Sequence, residues 1–437
     1  MKNLSKNGTG MGMYPKKLII EPTTRCNFKC EMCVKQSQGC QIKEGDLGFD
    51  VFESLDPLLP QANTIIFTGI GEPLLYKDLE LCLETARSKM PGKTIRGFQT
   101  NGKLLTPDRA MALLKAGLNK ICISVDATGP SLFNTVRQGG CFLDIEKALQ
   151  SLAHASAQFP GAGLEIGIEF VLMKKNMDEL PRVIEWAGRQ GLDFILVTHL
   201  TAYEKEMEKE IAYMDNSETS LALFENFKKV AQRKNLDLSQ YSKIPLKFYK
   251  SETDREIYNL VQELKDQALK EGVYINMFHL MNEDPVYFQQ IKEIFYRSQT
   301  LAVQYGIDLT LPEIRPKTKR HCPFVEEDAM FVTWEGKVSP CYFLWHEYQV
   351  MRIGYNKSVT PVFFGNVLEQ HPFDIWNSHE FMDFRNNVKA YDYPNCHSWC
   401  EIRCDYVLDQ PFYQDCFINN IPCGDCHWNL GFLNCLT

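Results

Sequence analysis

Cys26, Cys30 and Cys33 lie in the stretch EPTTRCNFKCEMCVK as C-x3-C-x2-C, directly after the apolar run Leu18-Ile19-Ile20. Three thiolates this close can hold three irons of a [4Fe–4S] cube and leave the fourth iron open. An open coordination position is what separates a reactive metal site from a structural one. The competing chemistry is zinc, which in a closed site takes four ligands, commonly as two C-x2-C pairs. The one further cysteine nearby is Cys40. A disulfide is the weaker account for a chain that carries no secretion signal.

A second chemistry-bearing segment is Ile65-Ile66-Phe67-Thr68-Gly69-Ile70-Gly71-Glu72-Pro73-Leu74, an apolar run entering a glycine-containing turn with an acidic residue. Turn glycines let a ligand approach the backbone, and a carboxylate accepts hydrogen bonds from an ammonium group. By itself G-x-G-E-P is only a turn. Further along stand Gln99-Thr100-Asn101-Gly102 and Ile123-Ser124-Val125-Asp126, the latter followed by Arg137. No side chain can be singled out as a catalytic acid or base.

The elements that must position these residues alternate. Short apolar runs at 17–21, 63–68, 94–100, 119–125, 165–171 and 194–198 predict strands, and helical patterns near 49–59, 76–89, 106–116, 142–155 and 177–190 lie between them. Thr106-Pro107 and Asp178 are helix starts, and Gly117 and Gly191 are stops. Six such units in a row imply a parallel sheet with right-handed crossovers, whose loops gather at one end where ligands bind. Residues 201–318 break the rhythm and read as a mainly helical insert. Its helices end at Gly272 and Gly306, each followed by a β-like run, GVYINM and GIDLTL. The insert is either a substrate-docking or lid element or a structural bridge. The expected boundaries are a tail at 1–16, an α/β domain at 17–200, the insert at 201–318 and a loop-rich C-terminal domain at 319–437.

The chain has 437 residues, a net charge of −8 and no basic tail, so nucleic-acid binding has no electrostatic support. Residues 1–16 lack the apolar core of a signal peptide, and no run of about 18 apolar residues occurs to span a membrane. The expected location is the cytoplasm. Of sixteen cysteines, Cys40, Cys82, Cys122 and Cys141 are scattered and read as ordinary thiols. The other twelve read as metal ligands, which implies a reducing, anaerobic setting. Nine of those twelve lie at the C-terminal end: Cys322, Cys341, Cys396, Cys400, Cys404, Cys416, Cys423, Cys426 and Cys435. Small cysteine-dense regions with little core are usually held together by metal.

The triplet in its strand context resembles the radical S-adenosylmethionine (SAM) superfamily, and the later segments resemble that family's "GGEP" and "TNG" motifs. The resemblance implies a partial (β/α)6 barrel, a [4Fe–4S] cluster on Cys26, Cys30 and Cys33, and SAM on its open iron. By the same resemblance Thr68, Gly69, Gly71, Glu72 and Pro73 bind the SAM amino group, with Thr100 and Asn101 beside them. Ser124 and Arg137 match the positions that hold the SAM carboxylate, Asp126 contacts ribose or caps a turn, and Val171 or Met173 packs against adenine. This chain departs from the family in reading GIGEP, and in having Met32 where an aromatic residue commonly precedes the third cysteine.

The pattern Cys322-x13-Gly336-x4-Cys341, followed by Phe364-Gly365-Asn366-Val367 and Ile375-Trp376-Asn377, resembles the opening of the SPASM domain, which carries two auxiliary [4Fe–4S] clusters. The later cysteines depart from that domain's spacing, so one cluster plus a zinc site stays open, with His397 and His427 as alternative ligands. The closing Cys-Gly-Asp-Cys-His-Trp run resembles a SPASM subgroup that matures tungsten or other metalloenzymes. The resemblance implies a radical SAM oxidoreductase or maturase that cleaves SAM to a 5′-deoxyadenosyl radical and abstracts hydrogen from a peptide or protein. A low-potential donor such as ferredoxin or flavodoxin would supply the electron. Maturation of a tungsten-type metalloenzyme or its cofactor is the alternative, and a non-catalytic iron–sulfur electron carrier is the alternative of another class.

Overall fold

The computed structural model describes residues 12–273, 275–352, 354–390, 421–424 and 426–436. Nine strands form one sheet: β1 (Lys17–Ile20), β2 (Thr64–Phe67), β3 (Ile95–Thr100), β4 (Lys120–Ser124), β5 (Glu165–Leu172), β6 (Phe194–His199), β7 (Asp308–Thr310), β8 (Ala329–Val332) and β9 (Val338–Ser339). Their order is β7-β6-β5-β4-β3-β2-β1-β8-β9. Every pairing is parallel except that of β8 with β9.

Strand side chains alternate between two faces. Leu18, Ile65, Phe67, Phe98, Ile121, Ile168, Phe170 and Ile195 join the main core. The helices that cover this face are α1 (Phe49–Glu53), α2 (Leu79–Lys89), α3 (Pro107–Ala116), α4 (Pro130–Val136), α5 (Phe142–Gln158) and α6 (Leu180–Arg189). The residues between them, Ile66, Cys122 and Phe194, point the other way and pack with Leu436. Gly167 leaves that inner face room, since a Cβ there would stand 2.4 Å from the Phe194 ring. The sheet is strongly curved: β3 and β5 flank β4, yet Gln99 and Glu169 meet in a hydrogen bond on the inner face. Flat neighbours two strands apart would hold their backbones almost 10 Å from each other. The architecture is a curled α/β barrel sheet with its helices outside.

The predicted helix start at Thr106 is real, because its hydroxyl accepts from the Arg109 N–H. Gly117 closes the same helix at φ +106°. In the insert, α7 (Glu218–Arg233), α8 (Glu252–Lys270) and α9 (Met277–Met281) enclose a core of their own around Leu223, Ile257, Leu264 and Leu280. Helix α10 (Pro285–Tyr305) instead lies on α6, where a Cβ at Gly188 would stand 2.2 Å from Tyr305. The run GIDLTL supplies β7, but GVYINM supplies no strand in its described part. There the Asn276 side chain accepts from the His279 N–H and starts α9, a local bond that outcompetes extension.

The C-terminal block is more ordered than its sequence suggests. It adds β8 and β9 to the sheet, a separate antiparallel hairpin of β10 (Tyr348–Arg352) and β11 (Tyr355–Val359), and the helices α11 (Pro323–Glu326), α12 (Pro372–Trp376) and α13 (His379–Ala390). The segment from Phe432 to Leu436 returns to the barrel. The His199 N–H donates to the Phe432 carbonyl, and Asn434 bonds both Val197 and Thr198. Among the described residues no helix is long and apolar enough to cross a membrane.

Candidate functional site

The cysteine triplet leaves β1 on a loop that the second motif braces. The Glu72 N–H donates to the Arg25 carbonyl at 2.7 Å. Gly71 passes so close that a Cβ would lie 2.2 Å from the Thr23 carbonyl oxygen and 2.6 Å from that of Arg25. Only glycine fits there. Within the loop the Phe28 N–H reaches Cys26 Sγ, and the Cys33 N–H donates to the Cys30 carbonyl at 3.0 Å. The Phe28 ring is buried against Gly139 and Gly140, and a Cβ on Gly140 would stand 2.2 Å from it.

The three thiols lie within electrostatic reach of one another, and burial raises the pKa of each, that of Cys33 to about 11. Sulfurs that share a pocket and resist ionising alone suit a strongly positive centre, which displaces the protons on binding. Among the described residues no three His, Cys, Asp or Glu side chains converge on a single metal-ion position. Three thiols on one loop are a donor set for three irons of a cluster with one iron left open.

Two chains of contacts run from these thiols to the other candidates. In the first, Asn101 Nδ2 donates to Asn27 Oδ1 and lies 4.0 Å from Cys26 Sγ. Glu72 accepts the Asn101 N–H, the Thr100 hydroxyl and the Leu74 N–H, at 2.7, 2.6 and 3.1 Å. Desolvation by burial raises the Glu72 pKa against these bonds. In the second, Arg137 Nε donates to Asp126 Oδ2 at 2.6 Å, and the guanidinium also faces Cys30. Burial opposes the Arg137 charge, but Asp126 and Cys30 raise its pKa on balance. Asp126 Oδ1 takes the Val171 N–H at 2.7 Å. Val171 and Met32 pack with Met173, Val136 and Leu200 in a small apolar cluster beside this chain.

Thr68 is buried at the end of β2, and Gly69 lies against the Glu21 side chain. Pro73 opens a short 3₁₀ turn that the Glu72 side chain caps. Ser124 ends β4 opposite Glu169 in register. Asn176 is a partner the sequence reading passed over. Its Nδ2 donates to the Asp126 and Val171 carbonyls, and its Oδ1 accepts the Met173 N–H. Its only signal in sequence is a short polar residue just beyond a strand.

At the other end of the chain, Cys322, Cys341, Cys423 and Cys426 are all buried. Cys341 feels the charges of the other three. The Cys426 N–H donates to the Cys423 carbonyl at 3.2 Å, the same turn that Cys30 and Cys33 make. Cys435 packs against the apolar cluster that holds this quartet, and its pKa is raised by burial and by Glu169. Cys396, Cys400, Cys404 and Cys416 lie outside the described residues, as does His397. Inside the barrel, Glu21 accepts from His346 and from the Trp334 N–H.

Comparison with known proteins matches these two regions. A family model of the radical SAM superfamily covers residues 20–187, and one of an iron–sulfur cluster-binding domain, SPASM, covers residues 322–405. The chain is 28% identical over 426 residues to the tungsten-containing aldehyde ferredoxin oxidoreductase cofactor-modifying protein of Pyrococcus furiosus, across 96% of this chain and 97% of that one. It is 26% identical over 218 residues to the GTP 3′,8-cyclase of Rhizobium meliloti, across 48% of this chain and 59% of the cyclase. Among solved structures, Streptococcus suis SuiB bound to S-adenosylmethionine aligns at 12% identity and a TM-score of 0.48, over 86% of this chain and 68% of SuiB.

Proposed function

This chain carries a radical SAM domain followed by a SPASM domain, and on that premise we propose that it is a maturase that abstracts hydrogen in completing a tungsten-type metalloenzyme or its cofactor. The radical SAM domain binds a [4Fe–4S] cluster and SAM, and the SPASM domain points to auxiliary clusters. Cys26, Cys30 and Cys33 would hold the first cluster, and Cys322, Cys341, Cys423 and Cys426 an auxiliary one. When bound, the first cluster supplies the electron that splits SAM into methionine and a 5′-deoxyadenosyl radical. The chain's own residues set the geometry. Glu72 fixes the Thr100–Asn101 turn, Arg137 offers a guanidinium beside Cys30, Asp126 anchors the Val171 strand end, and the Met32–Val171–Met173 cluster excludes water. Ferredoxin or flavodoxin remains the electron donor we propose.

The observation that carries the tungsten reading is the end-to-end relationship to the Pyrococcus furiosus protein, which includes the insert that neither family model covers. The test is anaerobic incubation of the iron-loaded protein, SAM and dithionite with a tungsten-dependent aldehyde oxidoreductase isolated from cells lacking this protein. The expected result is 5′-deoxyadenosine together with a mass change in the extracted cofactor and a gain of oxidoreductase activity. A mass change confined to the polypeptide would replace this reading with modification of a peptide or protein side chain. Iron without 5′-deoxyadenosine in either setting would leave an electron carrier, and zinc in place of iron and sulfide would end the radical reading.

A further inference from the structure

We propose that Gln99 and Glu169 form a recognition pair inside the barrel for a substrate group with neighbouring N–H donors, such as an amidine, a guanidine or an amino-substituted lactam. The two side chains come from β3 and β5, and Gln99 Nε2 donates to Glu169 Oε2. That bond uses one donor and one acceptor. Among the described residues the Gln99 amide oxygen and the second Glu169 oxygen make no further hydrogen bond, and both residues keep part of their surface open. An acceptor oxygen that has no protein partner and is partly open can take an N–H donor from a ligand.

The surroundings select for such a group. Glu169 faces Leu196 in register and lies within electrostatic reach of Cys122, Cys435, Tyr342 and Asp126. Among the described residues the Arg137 guanidinium is the cation whose charge acts on Glu169, and its Nε donates to Asp126. An anionic ligand would meet the carboxylates of Glu169 and Asp126, whereas a donor pair would meet the acceptor oxygens of Gln99 and Glu169. Burial raises the Glu169 pKa to about 7, so a donor that favours the ionised carboxylate has something to gain. The pair also sits at the right depth. Glu169 stands opposite Ser124 and two residues before Val171, level with the strand ends that carry the SAM candidates.

The inference rests on reading the barrel interior as the place where the radical meets its substrate, and its test is kept independent of SAM cleavage. Calorimetric titration of the iron-loaded, SAM-bound protein with isocytosine, which carries an amino group beside a ring N–H, should show binding. Uracil, which has an oxygen in place of that amino group, should bind at least tenfold more weakly. Glu169→Gln and Gln99→Leu should each weaken isocytosine at least tenfold while iron content and SAM binding stay as in the native protein. Glu169→Asp is the second reading should Glu169→Gln lose its iron, and it should weaken isocytosine in the same sense. Equal binding of isocytosine and uracil, no binding of isocytosine, or unchanged affinity in folded variants would each overturn the proposal. These results stand whether the maturation target proves to be a cofactor or a polypeptide.

Discussion

Glu72 accepts three hydrogen bonds from its own chain, so it works first as a brace between two turns. Glu72→Gln keeps one acceptor oxygen and removes the charge. We expect it to lower unfolding stability by about 1–3 kcal/mol, read by denaturant titration, and to weaken SAM in equilibrium binding. Gly71→Ala tests the same junction by sterics. A Cβ at 2.2 Å from the Thr23 oxygen must push the loop aside, and the expected outcome is loss of iron from the N-terminal site, with the auxiliary iron retained. At this scale the sequence shows residue types and spacing. The C-x3-C-x2-C run sits on one loop because three residues of separation leave it nowhere else to go. The partners are another matter: that Glu72 meets Thr100, or Arg137 meets Asp126, depends on strand ends that only the fold brings together.

The elements follow from local rules. Most strand and helix positions in the first 200 residues lie within a few residues of their apolar patterns, since alternation on a parallel sheet with one helix-covered face is a strong signal, but α1 stops at Glu53 instead of 59 and α4 lies where no helix is expected. The run GVYINM misled because β-branched residues favour extension while the Asn276 cap, three residues before its partner, favours a helix. Phe28 shows how an element holds the thiol loop. Its buried ring fills the space left by Gly139 and Gly140 and so pins the loop to the turn after Arg137. Phe28→Ala should cost about 3–5 kcal/mol by leaving a cavity there. The check is thermal unfolding together with the rate at which the N-terminal iron is lost to a chelator, which should rise.

On the scale of the whole molecule, the C-terminal segment closes the barrel against β6, and a buried histidine lies at that seam. His199 donates from Nε2 to the Glu313 carbonyl while its own N–H holds the Phe432 carbonyl. Burial lowers its pKa from 6.5 to about 4, so the folded form holds it neutral. The unfolded chain takes up the proton more readily between those values. Stability is therefore complete above pH about 6.5 and falls as the pH drops towards 4, by at most about 3 kcal/mol from this one group. Denaturation midpoints measured across that range should show the fall, and His199→Gln, which keeps a donor but does not titrate, should flatten it.

The sequence by itself determined the thiol triplet, the alternation of strands and helices, and the placing of GIGEP and TNG at successive strand ends, because these depend on neighbours a few residues apart. It left open which C-terminal cysteines belong together. Only tertiary structure brought Cys322 and Cys341 to Cys423 and Cys426, packed Cys435 against the cluster that holds them, and set Gln99 against Glu169. Those contacts arise from sheet curvature and from chain segments tens or hundreds of residues apart, and no local pattern carries that distance.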